Sequence, residues 1–96
     1  MTYDRVTDKA IGHIVDITSA GLRIVSDTPV KKGLKYGLRL DLTKVMNFEQ
    51  QVVFSAKCIW QKMDEESGAY ISGFEIIEMA DKDMKIIKQL IYQFGN

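Results

Sequence analysis

Five residues in two parts of the chain are candidates for a small ligand site. Asp16, Thr18 and Gly21 lie at the end of a predicted strand and in the turn after it. Asp16 and Thr18 are two residues apart and share a face, so a carboxylate and a hydroxyl are available to one planar polar ligand. Arg23, on the next strand, is expected to be solvated, with contact to a phosphate beside the hairpin as the alternative. Trp60, at the end of a later strand, is expected to pack in the barrel, with a stacking surface as the alternative. The turn alone is more typical of an ordinary hairpin, because Asp and Thr hydrogen-bond their own backbone in turns.

Residues capable of catalysis are few, and their positions argue against an enzyme. His13 is the one histidine and Cys58 the one thiol, and Cys58 lies on the apolar face of its predicted strand, as a core residue does. Asp64, Glu65 and Glu66 follow one another in a turn exposed to solvent. No glycine-rich phosphate loop and no metal-ligand spacing occurs. We therefore expect no catalytic residue, no metal and no cofactor.

Length and charge limit the class of protein further. The 96 residues are enough for one domain, 1–96, and the single cysteine forms no internal disulfide, which fits the cytoplasm. The formal net charge of zero argues against a nucleic-acid partner. No apolar run approaches the roughly 20 residues of a membrane helix, so no membrane insertion is expected.

Apolar residues alternate along most of the chain and then change period. A period of two predicts strands over 12–17, 22–25, 34–42, 51–61 and 69–77, with a polar loop over 43–50. On the strand over 51–61, Trp60 falls on the same face as Cys58. From 80 to 94 the apolar residues recur every three or four positions, which predicts a helix. The sequence thus predicts a mainly β fold, a small antiparallel barrel followed by one helix.

Three segments have less definite expectations. Residues 1–11 are interpreted as a partial or truncated N-terminal strand, with Asp8 and Lys9 in the turn that follows it. Arg39 alternates with the leucines of its strand, so it is expected to point to solvent. The end of the helix, Tyr92 to Phe94, is expected to pack in the core rather than to form a binding surface.

The order of these features resembles that of the PilZ domain family. The features are the hairpin motif Asp16-x-Thr18-x-x-Gly21, the segment Asp-Thr-Pro-Val-Lys-Lys-Gly over 27–33, the alternating leucine strand, Trp60 at a strand end, Gly73-Phe74-Glu75-Ile76, and the final helix. Together they cover about residues 12–94. The hairpin motif is short, but its place in this ordered set makes the resemblance much more specific than the motif alone.

The resemblance implies a six-stranded antiparallel β-barrel with a C-terminal helix, found in bacterial receptors for cyclic di-GMP. The family binds that ligand through an Asp/Asn-x-Ser-x-x-Gly hairpin and an Arg-x-x-x-Arg stretch upstream of the first strand. Asp16, Thr18 and Gly21 match the hairpin motif, with Thr18 in place of the usual serine. No Arg-x-x-x-Arg occurs in the sequence, and Arg5 with Lys9 is the nearest approach to it. Lys9 lies too close to Asp16 for a whole strand to intervene, so the basic stretch either preceded this sequence or is lacking.

Two functions follow from the resemblance. In the first, Asp16, Thr18, Gly21, Arg23 and Trp60 bind cyclic di-GMP, and ordering of an arginine-bearing N-terminal segment relays the bound state to an unidentified protein partner or further domain. In the second, the domain docks a protein and binds no nucleotide. A barrel that binds single-stranded nucleic acid is disfavoured by the zero net charge and the single tryptophan.

Overall fold

Alternating apolar side chains form six strands that close into a barrel, as the sequence predicts. The computed structural model describes residues 1–41 and 51–94. Its elements are β1 (Thr2–Asp4), β2 (Ala10–Ile17), β3 (Gly21–Ser26), β4 (Lys35–Asp41), β5 (Gln51–Met63), β6 (Tyr70–Met79) and α1 (Asp81–Phe94). The order around the barrel is β1-β2-β3-β6-β5-β4, each strand is antiparallel to its neighbours, and β1 pairs with both β2 and β4. The predicted mainly β barrel with a C-terminal helix is confirmed.

The inward residues of the strands and one face of α1 form a single core. Along β5 every second residue from Val52 to Cys58 is buried, and Cys58 is confirmed as a core residue. Ile87 and Leu90 of α1 pack against this core. Each such side chain contributes about 1.5 to 3 kcal/mol when it is fully buried, so the helix is held mainly by its apolar stripe.

The observed strands β5 and β6 are longer than the predicted ones. β5 continues to Met63, two residues into the acidic segment 62–68 that we predicted as a turn, and Met63 pairs with Tyr70. At its other end β6 continues to Met79, two residues beyond its predicted limit. The turn itself is closed by Asp64, whose Oδ1 accepts a hydrogen bond from the Glu66 amide at 3.1 Å. The loop predicted over 43–50 lies outside the described residues.

Arg39 joins three parts of the barrel wall and does not point freely into solvent, contrary to the prediction. Its Nη2 lies 2.7 Å from Oδ1 of Asp8, in the turn between β1 and β2. Its guanidinium carbon lies 4.3 Å from the ring centroid of Tyr3 on β1. The side chain is only 22% exposed as a result. Arg39 on β4 therefore ties the short strand β1 and its turn to the rest of the wall.

Tyr92 in the last turn of α1 differs from the prediction, because it is 90% exposed rather than buried in the core. Ile87 is fully buried and defines the face of the helix that meets the barrel. At about 100° per residue, five residues place Tyr92 roughly 140° around the helix from Ile87. The tyrosine therefore lies on the outward face.

Candidate functional site

The hydroxyl of Thr18 closes the turn between β2 and β3. The Thr18 amide donates to the Gly21 carbonyl at 2.8 Å. In return, Oγ1 of Thr18 accepts from the amides of Ala20 and Gly21, each at 3.2 Å. The hydroxyl is thus used by the turn itself, and its first role is to fix the hairpin that holds Asp16.

Gly21 allows β3 to lie close to β6. A Cβ atom at this position would overlap the backbone oxygen of Phe74 on β6. The glycine is required by this approach of two backbones, since no positive backbone angle is involved.

Asp16 and Arg23 face one another across β2 and β3 on the outside of the barrel. The two residues are paired in the strand register. Arg23 Nη2 lies 3.1 Å from Asp16 Oδ2, and both side chains are about half exposed, 51% and 50%. Leu22 and Ile24, on either side of Arg23, are core residues, so Arg23 must point outward.

The same register continues from Arg23 across the next two strands. Arg23 is paired with Gly73 on β6, and Gly73 is paired with Trp60 on β5. Ser72 and Phe74, on either side of Gly73, are buried inside the barrel, so the Gly73 position faces outward. A continuous row therefore crosses four strands on the outer surface. We call Asp16, Arg23, Gly73 and Trp60 the outer row.

Trp60 belongs to this outer surface, and its predicted place on the same face as Cys58 is wrong. The register between β5 and β6 shifts between Cys58 and Trp60, so Cys58 lies opposite Phe74 and Trp60 opposite Gly73. Ile59 is the extra residue, and it is 46% exposed. Because one inserted residue reverses the alternation that follows it, the indole points outward while the thiol points inward.

The indole of Trp60 lies flat over the bare backbone of Gly73. A Cβ atom at Gly73 would overlap ring atoms Nε1 and Cε2 and would lie 2.8 Å from Cδ1. Sequence reasoning did not select Gly73 as a site residue. The sequence feature that could have identified Gly73 is its position as a glycine in the interior of an apolar strand. Such a glycine often marks a close approach by another group.

The outer row offers three kinds of contact to a planar anionic ligand. Trp60 is half-buried and presents an aromatic surface on which a purine can stack. The ion pair with Asp16 leaves Arg23 with free N–H donors, since a guanidinium has five. Those donors suit a phosphate, or the O6 and N7 acceptors of guanine. Asp16 orients the guanidinium, and its half-exposed carboxylate is able to accept from a ligand N–H group.

A basic segment lies next to the Trp60 end of the outer row. The connection from β3 to β4 is tied to β5, since the Gly33 amide donates to the Cys58 carbonyl at 2.7 Å. Gln61 Nε2 also donates to the Val30 carbonyl at 3.0 Å. These bonds hold Lys31 and Lys32, both exposed, beside the bulge in β5. The connection thus brings two exposed lysines to the strand that carries Trp60.

The two residues considered for catalysis are not brought together. His13 is exposed on β2, opposite Val25 of β3, while Cys58 is fully buried in the core. Burial raises the pKa of the Cys58 thiol, and a backbone hydrogen bond at Trp60 and the nearby Lys32 ammonium offset this only in part. A buried thiol with a raised pKa is a poor nucleophile. Over the described ranges, no three His, Cys, Asp or Glu side chains are grouped in a way that could hold a metal ion.

In the part of the chain that the structure describes, no helix is both long enough and apolar enough to cross a bilayer.

Comparisons with known proteins agree with this architecture. The PilZ domain family profile matches residues 4–93. Among solved structures, the chain is similar to that titled "Structure of Bacillus subtilis Inhibitor of motility (MotI/DgrA)", with a TM-score of 0.66 and 19% sequence identity. The match covers 80% of this chain and 38% of that chain. At this identity the likeness shows a shared fold alone. A search of curated proteins finds no match.

The family profile extends over nearly the whole barrel and α1, including the hairpin of Asp16, Thr18 and Gly21 and the strands that place Arg23 and Trp60. The chain belongs to the PilZ domain family.

Proposed function

We propose that this domain binds cyclic di-GMP in the bacterial cytoplasm and relays the bound state to a protein partner. The observation that supports this most is the outer row, which adjoins the family's hairpin motif and combines Asp16, Arg23 and Trp60 on one surface. Membership of the PilZ family supports the choice of ligand. The similar structure, a Bacillus subtilis inhibitor of motility, is an example of a related fold in a regulatory protein.

Each part of the ligand has a matching group in or beside the outer row. One guanine stacks on the half-buried Trp60 indole, which packs against the backbone of Gly73. The Arg23 guanidinium binds a phosphate or the O6 and N7 edge of a guanine, while Asp16 holds it in place. The exposed amines of Lys31 and Lys32 reduce the repulsion between the two phosphates.

Arg23 is central to the proposal because the sequence has no Arg-x-x-x-Arg. A guanidinium supplied by β3 replaces one of those arginines from within the barrel. Since Arg23 is already paired with Asp16, the ligand shares the guanidinium with the carboxylate. We therefore expect weaker binding than two additional arginines would give, in the micromolar range, about −8 kcal/mol.

The test is calorimetric titration of the 96-residue chain with cyclic di-GMP, combined with tryptophan fluorescence. Trp60 is the single tryptophan, so its emission reports on the outer row directly. We expect micromolar binding and quenched emission. Arg23→Ala and Asp16→Ala should each weaken binding at least tenfold, which corresponds to about 1.4 kcal/mol.

The matched control is Asp27→Ala, which removes an exposed aspartate outside the outer row. It should leave the affinity unchanged. An equal loss of affinity for cyclic di-GMP in Asp16→Ala and Asp27→Ala would indicate a general charge effect and contradict the proposed site. No binding up to millimolar ligand would reject the nucleotide receptor for this chain, and would favour the alternative of a protein-docking domain.

A further inference from the structure

We propose that the outward face of α1 is a docking surface for an acidic segment of a partner protein. This face consists of Lys82, Lys85, Lys88, Gln89 and Tyr92, all exposed. We call it the lysine face. It lies opposite the apolar stripe of Ile87 and Leu90, which packs on the barrel core.

The lysine face has the spacing of a continuous stripe. Lys82, Lys85 and Lys88 follow one another at intervals of three, and Tyr92 lies four residues after Lys88. With a rise of 1.5 Å per residue, the three lysines span about 9 Å and the whole stripe about 15 Å. Carboxylates one helical turn apart, or two residues apart in an extended chain, match this spacing.

The positive charges of the lysine face are only partly offset by the protein itself. The ion pairs among the described residues are Arg23 with Asp16 and Arg39 with Asp8, and neither involves α1. Of the two aspartates of the helix, Asp83 is only 4% exposed on the opposite side. Asp81, exposed in the first turn, lies one turn before Lys85 on the lysine face and offsets one of the three lysine charges. The chain as a whole has no net charge, so the lysines form a local excess of positive potential.

Tyr92 distinguishes this surface from an ordinary solvated row of lysines. It is 90% exposed, at the end of the stripe. An exposed tyrosine combines a large apolar ring with a hydrogen-bonding hydroxyl, and tyrosines are enriched at protein interfaces for that reason. An aromatic anchor beside several cations fits a partner segment with carboxylates and an apolar side chain.

A protein segment fits this face better than a membrane or a nucleic acid does. A helix that binds in a lipid interface must insert its apolar face, but here that face is already packed against the barrel. Three lysines in a chain of zero net charge are fewer positive charges than a nucleic-acid surface usually has. The inference does not depend on the proposed nucleotide site, since none of the outer row lies on α1.

The probe for the test is a capped peptide of Asp-Glu-Leu-Glu repeated three times, titrated into the isotope-labelled 96-residue chain and followed by amide NMR shifts. We expect the largest shifts along α1 between Lys82 and Tyr92, and weaker binding as salt is raised. Lys85→Glu/Lys88→Glu should weaken binding at least tenfold. The control Lys9→Glu/Lys62→Glu changes the charge equally at exposed lysines elsewhere, and should have little effect.

Three results would overturn the proposal. The first is that the acidic peptide does not bind at low salt. The second is that the amide shifts caused by the peptide map outside α1. The third is that the two charge-reversed variants lose the same amount of affinity for the peptide. A parallel titration uses vesicles of anionic phosphatidylglycerol. Tighter binding to vesicles than to the peptide would assign the lysine face to membranes and also reject the proposed partner.

Discussion

The thiol of Cys58 is fully buried, and burial raises its pKa. The folded chain therefore keeps the thiol proton at a pH where the unfolded chain has begun to lose it, above about pH 8.5. Ionisation then stabilises only the unfolded state, so the free energy of unfolding should fall as pH rises through this range. The stabilising contribution is complete below the ordinary thiol pKa and is lost on the alkaline side.

Urea unfolding at pH 7, 8.5 and 10 measures this effect, with Cys58→Ala as the reference. The alanine variant is less stable at neutral pH because it leaves a small cavity, but it has no thiol to titrate. The stability difference between the two proteins should therefore narrow above pH 8.5. If the free energies of unfolding of the wild-type chain and Cys58→Ala change in parallel with pH, the buried thiol does not contribute to the loss of stability at alkaline pH.

The hairpin motif shows how far single residues predict a site. The types and spacing of Asp16, Thr18 and Gly21 were sufficient to place them in one hairpin. They could not show that the Thr18 hydroxyl accepts hydrogen bonds from the turn amides, or that the Asp16 carboxylate forms an ion pair with Arg23. Pairing depends on which residue lies opposite on the next strand, and this register is a property of the sheet.

The strand β5 is the element that decides the shape of the site. The alternation correctly predicted that every second residue from Val52 to Cys58 faces inward. It failed at Trp60, which faces outward. Cys58, Ile59 and Trp60 are all apolar, so a shift by one residue leaves no trace in the polar and apolar pattern. A bulge of this kind is visible only in the pairing with β6, where Gly73 provides the space for the indole.

Replacing Gly73 with alanine tests whether that space holds Trp60. The new methyl would overlap the indole and force the ring off β6, which should destabilise the fold by about 1 to 3 kcal/mol. The emission of Trp60 should shift to longer wavelength as the ring becomes solvated. Under the proposed function, affinity for cyclic di-GMP should fall in the same variant. Emission spectra and urea unfolding measure the first two effects.

Gly37→Ala is the matched control on another strand. A Cβ atom at Gly37 lies 3.7 Å from Cβ and Cδ of Arg5, which is an ordinary contact. This variant should keep the wild-type emission and a stability within about 0.5 kcal/mol. An unchanged emission maximum in Gly73→Ala would mean that the indole is not fixed by Gly73.

Closure of the barrel is a property of the whole molecule, and it depends on an element of only three residues. The sequence indicated a remnant of a strand near the N-terminus, but not how so short a strand would be held. In the structure β1 pairs with β2 on one side and β4 on the other. Arg39 adds a ring contact with Tyr3 and an ion pair with Asp8 across this junction.

We expect Arg39→Ala to destabilise the barrel by about 1 to 2 kcal/mol, the sum of a lost cation–π contact, an ion pair whose aspartate is exposed, and the packing of the side-chain stem. For a chain of this size the melting temperature should fall by at least about 4 °C. Arg5→Ala removes an exposed arginine from the turn between β1 and β2, and it should change the melting temperature little. Thermal melts followed by circular dichroism compare the two variants.

Amide hydrogen exchange in these variants separates local opening from loss of the whole fold. If Arg39 mainly holds β1 against the wall, then Arg39→Ala should speed amide exchange in β1 and in the neighbouring residues of β2. Exchange in the strands β5 and β6 should change less. Asp16 of the outer row is on β2, so the barrel's closure and the geometry of its site would then be linked through one strand. Uniform acceleration across all strands would instead mean that the barrel opens as one unit, and that Arg39 stabilises the fold without any special effect on the site.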